Sequence, residues 1–62
     1  MNYKLFPENI ADFRYEKGIQ YMVVTEKNFN DGIMIGYISS FFSVAIQYCS
    51  AHPNNNFVIT IL

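Results

Sequence analysis

Residues 32–51 read GIMIGYISSFFSVAIQYCSA, without a single charged side chain. Placed on a helical wheel at about 100° per residue from Ile33, Gly36, Ser39, Ser40, Ser43, Gln47 and Ser50 share one arc about 100° wide. Every other position from Ile33 to Ala51 is apolar or aromatic. This sorting predicts an amphipathic helix over about residues 31–51. Asn30 or Asp31 is its expected N-cap, and His52-Pro53 its end, because proline cannot continue a helix. The apolar arc covers well over half the circumference, more than a helix resting on one sheet buries. One flank is expected on the chain's own sheet and the other against a second surface. The small pairs Gly36/Ser40 and Ser39/Ser43 stand four apart, a spacing that lets another backbone approach.

Outward from this run the period changes. IQYMVVTE (19–26) alternates β-branched and aromatic residues and predicts a strand. So does FVITIL (57–62), apolar on both faces. YKLF (3–6) predicts a short strand closed by Pro7. Residues 8–18 fit either a short helix from Pro7 to Gly18 or, as preferred here, a hairpin turning at Lys17-Gly18. The expected fold is α+β: a single-layer sheet of three to four short strands packed on one long helix, in a single small domain, 1–62. The crossover between strands 19–26 and 57–62 is long enough to allow parallel pairing, with the N-terminal strands antiparallel. One helix covers one sheet face, so strands apolar on both sides need cover for the other.

Size sharpens that need. A chain of 62 residues buries only about 60% of the surface its unfolded form exposes. Domains so small usually carry a disulfide, a metal or a partner surface. Cys49 is the only cysteine and His52 the only histidine, which rules out an intrachain disulfide and a Cys/His zinc cluster. A partner surface remains. Composition agrees: 52% of residues are hydrophobic and 18% aromatic, but only 15% are charged, against about 25% in typical soluble domains. Lys4, Arg14, Lys17 and Lys27 are scattered among Glu8, Asp12, Glu16 and Glu26, with a net charge of −1. Neither a phosphate-binding patch nor an acidic nucleic-acid mimic results, so no nucleic-acid partner is expected. The N-terminal residues lack the apolar core of a secretory signal. With one unpaired cysteine, this predicts a cytoplasmic location. The frequency of Asn, Ile, Tyr, Phe and Lys hints at an AT-rich source such as a phage or other mobile element.

Candidate chemistry is sparse. His52 has no second histidine or acid pair beside it and reads as a cap near the negative end of the helix. Cys49 lies on the apolar arc and reads as a buried thiol. The serines lack a nucleophile elbow, Gly32 and Gly36 do not form a phosphate loop, and Glu26 and Asp31 read as a strand end and a cap. No catalytic residue, cofactor or metal site is expected. The expected function is a small non-catalytic protein-binding module, forming a homodimer and acting as inhibitor or adaptor of a larger protein. Gly36, Ser40, Ser43, Gln47, Tyr21, Tyr37 and Phe57 are the candidate interface residues, the aromatics because such side chains concentrate at contact centres. The alternative is a membrane protein with Gly32–Ala51 as its single span, since that uncharged length matches a bilayer. Four serines and a glutamine inside the run, with little basic flanking, count against it.

Overall fold

The computed structural model describes all residues, 1–62, and the fold is α+β. A four-stranded mixed sheet carries one ten-residue helix on one face and a five-residue helix beside the other. The strands are β1 (Tyr3–Phe6), β2 (Tyr21–Thr25), β3 (Tyr37–Ser39) and β4 (Phe57–Ile61); the helices are α1 (Glu26–Asn30) and α2 (Phe42–Ala51). A single 3-10 turn spans Ile10–Phe13.

The long helix expected over 31–51 is corrected to residues 42–51, and the reason lies in Gly32. Thr25 caps α1, its hydroxyl accepting from the Asn28 amide at 3.2 Å. Gly32, at φ +76°, then stops it. The Gly32 amide donates to the Phe29 carbonyl and the Ile33 amide to the Asn28 carbonyl at 2.8 Å. This is the paired closure that a left-handed glycine makes after a helix end. Asn30 and Asp31 thus lie at the C-terminus of one helix instead of capping the start of another. Past this stop, Tyr37, Ile38 and Ser39 pair antiparallel with Val23, Met22 and Tyr21. An aromatic and a β-branched residue find a ladder there, which outweighs a weak helical preference. The Ser39 hydroxyl accepts from the Phe41 amide at 3.0 Å, redirecting the chain into α2.

Sheet order is β1-β4-β2-β3. β4 runs antiparallel to β2, not parallel as the crossover length would allow, because β3 adds a reversal between them. The long crossover does join parallel strands, but they are β3 and β4, with β2 between them. β1 pairs parallel with β4 (Tyr3 with Phe57, Leu5 with Ile59) and not with β2. The favoured hairpin in 8–18 is also corrected. The segment is the 3-10 turn followed by a loop in which Gly18 takes φ +82°. Ile10 from that turn is fully buried and closes one end of the core.

The main core lies between the sheet and α2: Tyr21, Val23, Phe57 and Ile59 from the strands meet Ala45 and Cys49 from the helix. The opposite sheet face is not open. Met22, Val24 and Val58 are buried there with Phe29 of α1 packed on them, and Phe29 meets Phe6 at 5.3 Å between ring centroids. Lys4 of β1 reaches Glu26 of α1 at 2.7 Å, tying this small layer to the sheet edge.

Candidate protein-binding surface

Segment 32–41 carries the exposed apolar surface. Ile33, Met34, Ile35, Tyr37, Ile38 and Phe41 are all exposed, Ile35 to 76% and Phe41 to 68%. They lie on one continuous stretch that leads into β3, forms it and leaves it, with no charge from Gly32 onward to Ala51. Large apolar side chains scattered singly are ordinary on a protein surface; six within ten residues are a concentration that suits a contact surface.

Local chemistry sets this stretch in place. Gly36 has no side chain because there is no room for one. A Cβ there would overlap the Val23 carbonyl oxygen and lie 2.9 Å from both the Val23 carbonyl carbon and Val24 Cγ1. Close backbone approach is what glycine permits, and it lets the chain enter β3 flat against β2. Tyr37 then stacks on Tyr48 of α2, ring centroids 4.4 Å apart and 9° from parallel. Tyr48 continues the contact to His52 at 4.4 Å and to Phe57 at 5.7 Å. His52 is the residue that ends α2, and its Nδ1 lies 2.8 Å from the Tyr48 carbonyl oxygen. A carbonyl only accepts, so Nδ1 carries the hydrogen.

The candidate residues of the sequence divide four ways. Ser43 and Gln47 stand exposed along α2, with Ser50 on the same solvent side. Gly36 and Ser40 are exposed but precede α2, so they are not on a helical arc with the others. Tyr37 is partly covered by its stack on Tyr48. Tyr21 and Phe57, 1% and 4% exposed, belong to the core and present no side chain to a partner. Missing from the sequence reading are Ile33, Met34, Ile35, Ile38 and Phe41. The wheel put them on a buried arc. The signal that could have found them is the Gly-Tyr-Ile-Ser tetrapeptide, glycine followed by strand-forming residues.

Elsewhere the surface has little chemistry. An open polar cleft of about 480 Å³ is lined by Thr25, Glu26, Lys27, Asn30 and the three asparagines 54–56. Its two charged side chains are already paired, Glu26 with Lys4 and Lys27 with Asp31 at 3.1 Å. No three His, Cys, Asp or Glu side chains converge. Burial pushes the Cys49 thiol above its ordinary value, against a smaller lowering from a backbone hydrogen bond, which works against thiolate nucleophilicity. The Tyr21 phenol is raised too, first by burial; the Arg14 charge lowers it and the Glu16 charge raises it. No helix is long and apolar enough to cross a membrane, and residues 32–51 are divided among a turn, β3 and α2 instead of forming a span. Compared with known proteins, the chain matches no family model, no curated protein and no solved structure.

Proposed function

We propose that this protein is a small non-catalytic binding module that acts through contact with protein, as an inhibitor or adaptor of a larger target. One observation supports the reading above others: the uncharged run of exposed apolar side chains from Ile33 to Phe41, which includes the edge strand β3 and the segments either side of it. The surface charge is too sparse and mixed for nucleic acid, and the cleft offers no unpaired acid or base. A cytoplasmic setting fits the buried, unpaired Cys49, which a reducing compartment keeps as a thiol. Origin in a phage or other mobile element fits the small size and the asparagine- and isoleucine-rich composition.

Affinity capture with the purified chain tests this reading. Wild type is expected to retain a protein that the Ile35→Lys and Phe41→Lys variants lose, while both variants keep the wild-type circular dichroism spectrum. Equal retention by wild type and both variants would overturn the assignment to this surface.

A further inference from the structure

The two edges of the sheet are built differently. β1 is guarded: Lys4 lies within it and Pro7 follows its last residue. Lysine and proline on an edge strand are the usual devices against pairing with another chain. β3, the other edge, has neither. No lysine, no proline and no charge of either sign lies between Gly32 and Ala51. Ile38 is 46% exposed, and no strand lies beyond β3 in the sheet order. The three-residue length of β3 is its one guard, so of the two edges it is the one more open to a partner strand.

We propose that the occupant is a second copy of this chain, its β3 pairing antiparallel with this β3 across a twofold axis. The two four-stranded sheets would thereby become one of eight strands. The inference rests on the reading above that this surface binds protein, and sets a second copy, in place of the larger target, on the β3 edge. A twofold contact sets each patch against itself, so any charge near the axis faces its own like. Like charges directly opposite across a strand pair are destabilising. An interface with a different protein could use charges of one sign and match them on the partner; a self-pairing one is best served by none. That is the composition found. Three residues of ladder are short, and the flanking Ile35 and Phe41 supply the apolar contact that backbone pairing alone lacks. An interface of this extent belongs to the small, weak class, so association is expected in the micromolar range.

Light scattering on the purified chain from about 1 μM to about 1 mM spans that range. The mass is expected to rise from 7.2 kDa toward twice that value. Amides of residues 37–39 should gain protection from hydrogen exchange over the same range. Ile38→Lys is expected to stay at the single-chain mass throughout. Ile35→Lys should do the same, and Ile35 is exposed enough for that variant to fold even if Ile38→Lys does not. A wild-type chain that stays single at every concentration overturns the proposal, as does a dimer that survives both substitutions. If the single chain still captures a protein that Ile35→Lys loses, only the identity of the partner falls. If it captures none, the protein-binding reading falls with it.

Discussion

Tyr21 is the one residue that breaks the rule that buried polar atoms find partners. Its hydroxyl has no hydrogen-bond partner, although its ring packs edge-on against Phe42 at 5.4 Å. A buried, unsatisfied hydroxyl costs about 1–3 kcal/mol, so Tyr21→Phe should raise the stability by about 1 kcal/mol in urea unfolding. The orphan hydroxyl also has a pH signature. Its folded-state value is raised above the ordinary 10.0, so the unfolded chain releases the proton first as pH rises. The stability tied to this group is complete below about pH 10 and is lost above it. Cys49 adds the same trend from its own ordinary value of 9.0 upward. Alkaline unfolding followed by circular dichroism should therefore begin later in Tyr21→Phe than in wild type. Gly36 offers a second test. Gly36→Ala forces a methyl group into the β2 backbone, and should cost about 1–3 kcal/mol, seen as a lower urea midpoint. Sequence alone placed Tyr21 and Phe57 among possible contact residues, since aromatics serve cores and interfaces equally well. Only the register of β2 against β4 settles which face each enters.

Among the elements, the strands at 21–25 and 57–61 were legible because β-branched and aromatic residues concentrate there. The second half of the long run was legible too. Ala45 and Cys49 go inward while Ser43, Gln47 and Ser50 stay out, as the wheel requires. The first half was not, because a wheel assumes a helix and cannot detect its absence. The deciding signal was backbone conformation at Gly32, which a hydrophobic pattern does not encode. The end of α2 at His52-Pro53 was legible, but the distant residue that binds its carbonyls was not. The Asn2 side-chain nitrogen lies 2.8, 3.0 and 3.0 Å from the carbonyl oxygens of Cys49, His52 and Asn55, its two N–H groups shared among the three. One residue from the other end of the chain thus satisfies the helix C-terminus. Asn2→Ala should lose about 1–2 kcal/mol of stability. Asn2→Asp should lose more, since a carboxylate can only accept and would face the negative end of α2. Thermal unfolding of the two variants side by side checks the order.

At the scale of the whole molecule, the exposed area is 4304 Å², close to the roughly 4,100 Å² expected for a monomer of this mass. The radius of gyration, 10.6 Å, also matches the compact scaling of about 10.6 Å. The sequence raised the question of what covers the second sheet face, and α1 answers much of it. The answer was hidden because Phe29 sits in a segment that reads as a loop. Phe29→Ala should uncover Met22, Val24 and Val58, cost about 2 kcal/mol, and increase binding of a hydrophobic dye. With that face closed from within, the case for a partner moves to the β3 edge.

β4 lies between β1 and β2, yet it is formed by residues 57–61. Its neighbours are made far earlier in the chain, and β1 touches no other strand. On a ribosome, then, no two-strand seed involving β1 can exist until those residues emerge, and β2 has only the short β3 to pair with. Assembly of this sheet waits for residues 57–61. Non-local pairing of this kind slows folding relative to helical proteins of equal length. For much of its synthesis the nascent chain would leave the apolar faces of β1 and β2 without their central strand.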